Sequence, residues 1–224
     1  MTLFKSPQGK FITIEGTEGV GKSTNIAFIK QWLANKQISI IETREPGGTP
    51  LAEQIRELLL SKREEDVDSK TELLLMFAAR CQHVSQKIKP ALSAGQWVLS
   101  DRFTDASYAY QGAGRALGLD KLKQLDAWAL QGFKPDLTIM LDLPIDVGLA
   151  RAAERSEKDR FESEQIEFFE KVRAGYLQIA EQEPERMKVI DATGSIEQVQ
   201  QQIAQVLEVF YASYAKELTQ EACW

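Results

Sequence analysis

The sequence predicts an α/β protein: a five-stranded parallel sheet flanked by helices on both faces. Two observations carry that expectation. Short apolar runs rich in β-branched residues alternate with longer stretches of helical period along all 224 residues, as a parallel sheet with helical crossovers requires. The first run also leads straight into Gly16-Thr17-Glu18-Gly19-Val20-Gly21-Lys22-Ser23-Thr24, a glycine-rich turn at a strand-to-helix junction. Strands are expected at 11–15, 38–42, 97–100, 137–141 and 188–191. Helical periods fall at 23–35, 51–61, 70–93, 105–111, 120–130, 145–155, 164–181 and 196–218. Pro90 should kink the third of these and Gly95 should end it. In the last, Ile196, Val199, Ile203, Val206, Phe210 and Tyr214 recur at helical spacing, the mark of a core or subunit-contact face. The length suits one domain spanning 1–224.

The glycine-rich turn fits G-x-x-x-x-G-K-[ST], which makes the chain a nucleotide-phosphate binder. Glycines let successive N–H groups converge on phosphate oxygens, Lys22 adds a point charge, and Ser23 is placed to ligate Mg²⁺. The helix that follows aims its positive end at the same phosphates. In sheets of this kind ligands lie at the carboxyl ends of the strands, so the loops after the strands are where function is expected.

Composition narrows the classes. Acids outnumber Lys and Arg by 33 to 27, and a net charge of −6 argues against a general nucleic-acid binder that works by neutralising phosphates. No run approaches 18 apolar residues, so a cytoplasmic protein without a membrane partner is expected. Cys81 and Cys223 lie far apart without metal-ligand spacing and the single His83 cannot complete a zinc site, so both thiols are expected reduced. A GTP-dependent switch would need an N-K-x-D segment, which the sequence lacks.

The strand-end loops concentrate Arg, Asp and Gly. After the second strand comes Thr43-Arg44-Glu45-Pro46-Gly47-Gly48-Thr49, a tight loop that can present Arg44 to an anion. Asp101-Arg102-Phe103 follows the third: an Asp there can hold a water of Mg²⁺ and an Arg can take a phosphate bidentately. Singly, each pair reads equally as solvated charges or a loop-shaping ion pair; together, beside a phosphate loop, they read as a binding rim. A mixed-charge run holds Arg151, Arg155, Lys158 and Arg160 among Glu154, Glu157, Asp159 and Glu162. It reads either as a solvated helical face or as a lid over about 151–163 that brings positive charge to a transferring phosphoryl group.

Taken in order, GTEGVGKST, TREPGGT, the helix Leu73-Leu74-Leu75-Met76-Phe77-Ala78-Ala79-Arg80, the DRF triplet with Ser107-Tyr108-Ala109-Tyr110-Gln111-Gly112, and Asp159-Arg160-Phe161-Glu162 resemble the thymidylate kinase family of P-loop nucleoside monophosphate kinases. The match runs from about residue 10 to 193, and TREPGG is its most specific part. The resemblance implies the P-loop fold, a homodimer, Mg²⁺, and transfer of the γ-phosphoryl of ATP to dTMP, giving dTDP for dTTP synthesis. It implies that Gly16, Thr17, Glu18, Gly19, Val20, Gly21, Lys22, Ser23 and Thr24 hold ATP, with Ser23 on Mg²⁺ and Asp101 reaching the ion through water. Arg44 and Arg102 would hold the dTMP phosphate beside Pro46, and Glu18 would accept from the sugar 3′-hydroxyl. Arg80 would donate to a thymine carbonyl, Ser107 and Gln111 would contact the base edge from one helical face, and Tyr110 would pack against C2′. Lys22, Arg44, Arg102 and Arg155 form the implied catalytic set, with Arg151 on the adenine side.

Two positions depart from the family's pattern. An aromatic residue often stands four before the thymine-contacting Arg; here that place is Met76, with Phe77 three before Arg80, and either can reach the base. One branch carries an Arg inside the phosphate loop, where this chain has Val20. Its absence implies the branch whose catalytic charge comes from the lid, where Arg151, Arg155 and Arg160 are available. Kinases of other nucleoside monophosphates remain the alternative, separated by base and sugar contacts rather than by phosphate machinery.

Overall fold

The apolar runs fold as expected into one sheet. A computed structural model describes residues 8–153, 160 and 164–221. Its strands are β1 (Phe11–Glu15), β2 (Ile40–Arg44), β3 (Trp97–Asp101), β4 (Leu137–Asp142) and β5 (Met187–Asp191). All pair in parallel, in the order β2-β3-β1-β4-β5. The central strand β1 is buried along its whole length, with Ile12 opposite Leu99 on one side and Leu137 on the other. β2 starts two residues later than the apolar run suggested and reaches Arg44. Ile38 is taken by the turn after the first helix, where its N–H donates to the Leu33 carbonyl (3.0 Å) and Gln37 is left-handed.

Helices α1 (Lys22–Asn35) and α9 (Ile196–Glu221) cover one face of the sheet. Ile29 and Leu33 meet Ile12, Ile14, Ile139 and Leu141 there, joined by Val199, Ile203, Leu207 and Tyr214. The apolar repeat of the last helix is therefore core-facing, apart from exposed Ile196. On the opposite face α8 (Ile166–Gln182) brings Phe169, Val172 and Tyr176 against Met140. The remaining helices are α2 (Pro50–Leu60), capped by Thr49 with Pro50 at its first position, α3 (Ser69–His83), α4 (Lys89–Ser93), α5 (Thr104–Ser107), α6 (Leu119–Leu130) and α7 (Ile145–Ala153).

Two expected helices are interrupted. The stretch 70–93 widens into π-helical turns at Val84–Ile88 before resuming at Lys89. Pro90 has no N–H to return to the preceding turn and its ring crowds the carbonyl there, so the break falls upstream of the proline. Gly95 (φ +77°) ends the run as expected. The stretch 105–111 is α-helical only to Ser107 and then π-helical over Tyr108–Gly114, where the Arg115 N–H reaches back five residues to the Tyr110 carbonyl (2.8 Å). Ser107 and Gln111 therefore flank a change of helical pitch instead of sharing one α-helical face. Among the described residues no helix is long and apolar enough to cross a membrane.

Candidate active site

A cavity of about 300 Å³ opens at the carboxyl ends of β1, β2 and β3. The phosphate loop forms one wall, with Gly16, Gly19 and Gly21 all at positive φ. At Gly19 a Cβ would stand 1.8 Å from the Gly148 carbonyl oxygen, so the loop can lie against α7 only as glycine. The Lys22 ammonium donates to the carbonyls of Gly16 (3.2 Å) and Thr17 (2.9 Å) and stands 3.9 Å from Glu18. Burial and the neighbouring Arg102 press its pKa below the usual lysine value, against the pull of Glu18, Asp101 and Glu15.

Glu18 is the junction of the site. One carboxylate oxygen accepts from Arg102 Nη2 (2.7 Å) and from the Tyr110 hydroxyl (2.9 Å). Burial opposes its charge, yet Arg102 and Lys22 hold its pKa below the ordinary carboxylate range. Arg102 has φ +71°, a left-handed conformation uncommon for a long side chain, fixed by its N–H on the Ile14 carbonyl (3.0 Å). Its guanidinium lies 4.8 Å from the Tyr110 ring centroid and donates to the Tyr176 hydroxyl (3.1 Å). Tyr176 donates in turn to Glu15 (2.7 Å), whose other oxygen accepts the Phe103 N–H (2.7 Å). Burial, reinforced by Asp105, raises the Glu15 pKa to about 8.

The far end of the cavity is built by Arg80. Its Nε donates to Glu45 (2.6 Å), Nη1 to the Ser107 hydroxyl (3.0 Å) and Nη2 to the Phe103 carbonyl (3.1 Å). Glu45 also pairs with His83 Nδ1 (2.9 Å), and His83 Nε2 meets the Thr43 hydroxyl (2.7 Å). Glu45 is thus a buried ion-pair partner, not a solvated loop charge. Ser107, Tyr110 and Gln111 line this end with Met76. Phe77, by contrast, packs with Leu73 and Leu122 outside the cavity wall, which leaves Met76 as the member of the pair that faces the cavity.

At the rim, Arg44 is exposed and tied to Glu53 (2.9 Å), while Arg56 lines the wall and donates to the Pro46 carbonyl (2.9 Å). Ser23, Pro46 and Asp101 line the same space. Among the described residues Asp101 Oδ1 is buried without a partner, the behaviour of an oxygen suited to a metal ion or its water. Gly16, Thr17 and Thr24 shape the phosphate loop without lining the cavity, whereas Val20 lines it and is also packed against the core cluster beneath. Arg151, on α7, is outside the wall that its neighbour Ala152 lines, and Arg155 lies outside the described residues. Arg160 is engaged elsewhere: it donates to buried Glu72 (2.6 Å) and to the Leu59 carbonyl (2.8 Å).

The family model for thymidylate kinase matches residues 14–203. Similar proteins include the thymidylate kinase of Teredinibacter turnerae, 56% identical over 90% of this chain and 98% of that protein. The thymidylate kinase of Vesicomyosocius okutanii is 54% identical over the same shares. The crystal structure of thymidylate kinase from Ehrlichia chaffeensis superposes with a TM-score of 0.72 at 32% identity, covering 90% of this chain and 99% of that one. The chain belongs to the thymidylate kinase family. Its activity is that of a dTMP kinase, an ATP-binding nucleoside monophosphate kinase that serves dTDP and dTTP synthesis.

Relative to the family's motifs, five contributors to the site escaped the sequence: Glu15, Arg56, Glu72, His83 and Tyr176. Arg56 follows Glu53 at i+3 and reads as an ordinary exposed helix charge. Tyr176 reads as part of an apolar helix stripe, and its hydroxyl gave no signal of its own.

Proposed function

We propose that dTMP lies along this cavity with its phosphate toward Arg44, Arg56 and Arg102 and its base between Met76, Arg80, Ser107 and Gln111. ATP then places its phosphates on the loop Gly16–Thr24, with Lys22 following the group that moves. The observation that carries the reading is the juxtaposition, in one cavity, of a phosphate loop and a guanidinium and amide pair at the opposite end. Ser23 and the unpaired oxygen of Asp101 suit Mg²⁺, Asp101 through water, and the ion would supply charge neutralisation at the ATP phosphates. Glu18, bound to both Arg102 and Tyr110, sits where a sugar hydroxyl would meet it, and the Tyr110 ring closes the space that a 2′-hydroxyl would need.

Transfer also needs positive charge where the equatorial oxygens develop it. With an uncharged Val20 inside the loop and Arg160 held by Glu72, that charge falls to Arg155, with Arg151 toward the adenine. A homodimer is supported by exposed Leu51 and Leu58 on α2, Leu74 on α3 and Trp128 on α6, apolar side chains that a two-fold contact between helices would cover. Sedimentation at twice the 25.2 kDa chain mass checks it. ADP release measured in parallel with dTMP, dUMP, dGMP and UMP tests the assignment: dTMP should be used best and the purine and ribose nucleotides poorly. Equal use of dGMP would overturn the placement of the base.

A further inference from the structure

Glu72 stands on α3, fully buried and outside the cavity wall, yet it gathers donors from two distant stretches of chain. Gln111 Nε2 donates to its Oε1 (2.8 Å), Arg160 Nη2 to its Oε2 (2.6 Å), and Arg115 approaches both oxygens (3.5 and 3.3 Å). The two arginines balance the charge. The Gln111 bond does something different, because Gln111 also lines the cavity beside Arg80. A carboxylate can only accept, so the Gln111 amide must turn its NH₂ toward Glu72 and its carbonyl oxygen away from it. Were the amide reversed, two acceptors would face each other in a buried place.

Arg80 shows the complementary polarity. Its guanidinium has five N–H donors, of which Glu45, Ser107 and Phe103 take one each, so among the described residues an Nη proton on each arm is left for a ligand of the cavity that Arg80 lines. A carbonyl acceptor and guanidinium donors side by side match a ring that offers an N–H next to a C=O. Thymine and uracil have that imide edge, whereas cytosine presents a bare ring nitrogen next to an amino group, which mismatches both partners. We propose that Glu72 is a positioning residue: by fixing the Gln111 amide it sets the acceptor polarity at the base end of the cavity and so discriminates against cytosine nucleotides. The inference rests on the placement of the base proposed above.

The test compares kcat and KM for dTMP and dCMP in the wild type, Glu72→Gln, Gln111→Ala and Arg115→Ala, with the Tm of each. Glu72→Gln is nearly isosteric but can offer Gln111 either a donor or an acceptor, so the amide is free to reverse. Its KM for dTMP should rise about tenfold, the scale of one lost hydrogen bond in a closed site, with kcat little changed. The dTMP to dCMP ratio in kcat/KM should narrow by about the same factor or more. Arg115→Ala removes one of the cations on Glu72 and the link to Glu164, so it should lower Tm while leaving that ratio as in the wild type. If Glu72→Gln does not fold, the double variant Glu72→Gln/Arg115→Met, which leaves one fewer cation against the amide, carries the same comparison. An unchanged ratio in Glu72→Gln beside a collapsed ratio in Gln111→Ala would overturn the role of Glu72 alone. An unchanged ratio in Gln111→Ala as well would remove the base from this end and overturn both proposals, and equal narrowing in Arg115→Ala would reduce Glu72 to a structural ion pair.

Discussion

The two ends of the cavity are built on opposite plans. At the end where the proposed reading seats the ATP phosphates, one stretch of nine residues, Gly16 to Thr24, forms the wall with its main chain, and Glu18, Lys22 and Ser23 from that stretch are joined by Asp101 and Arg102 from the end of β3. The base end has no contiguous motif. It is assembled from α3, the loop after β2 and the α5 to π-helical junction, and each polar side chain facing the cavity is held by a buried partner behind it: Arg80 by Glu45, and Gln111 by Glu72. In the proposed reading phosphate recognition is tolerant of its surroundings, because backbone N–H groups keep their orientation when distant residues change. Base recognition, as proposed, depends on partners remote in sequence, and buried ion pairs are costly to break from one side.

Perturbing the phosphate end should give the largest losses, and they should fall on turnover. Arg155→Ala should reduce turnover by about a thousandfold with little change in the dissociation constants of ATP and dTMP, because its charge is needed only as the phosphoryl group moves. Single-turnover kinetics with both constants measured separately would expose a loss that merely tracks ATP affinity, which would make 151–163 a solvated helix face. Lys22→Ala should cost at least about a hundredfold, the scale of a strong electrostatic contact in a closed site. Near wild-type activity in that variant would dissociate the loop from catalysis.

Between the two ends the effects should shrink to ratios. Tyr110→Ala opens the space beside Glu18 and should narrow the preference for dTMP over its ribose analogue by roughly tenfold, equivalent to about 1.4 kcal/mol, at the low end of what a clash plus a stranded hydroxyl costs. An unchanged ratio would move sugar discrimination to Glu18.

The last expected effect is on stability and not on rate. Glu15 keeps its proton in the folded protein up to about pH 8, while in the unfolded chain it ionises near 4.5. Its contribution to stability is therefore complete below 4.5 and is lost as the pH climbs toward 8. Glu15→Gln, which mimics the protonated form, should flatten the fall of Tm across that window, and a slope equal to the wild type would place the titration on another group.

What the sequence disclosed follows the same division. The strands, the phosphate loop and the helical cover were legible because each is a local pattern of spacing. Two helices were misjudged at a point where one residue matters: a π-helical turn leaves the apolar pattern nearly intact while rotating everything after it, so the changes at Val84 and Tyr108 left no trace in the periodicity. The residues behind Gln111 and behind Arg102 were hidden for another reason. Glu72 and Arg160 are 88 positions apart, and Glu15 and Tyr176 are 161 apart. Each reads locally as an ordinary helix charge, strand end or core aromatic. Only the fold makes them partners.

The contact between Gly19 and Gly148 bears on how such enzymes can be rebuilt. There the root of the segment 151–163 rests main chain on main chain against the phosphate loop, with no side chain between them to act as a spacer, and a Cβ at Gly148 would meet the Glu18 carbonyl at 2.5 Å. A graft that exchanges the residues beyond Ala153 for those of another kinase leaves this seat untouched and can vary freely in length and charge. A graft cut a few residues earlier, carrying anything larger than glycine into position 148, would lift α7 off the loop and misalign the incoming segment before its own chemistry could be judged.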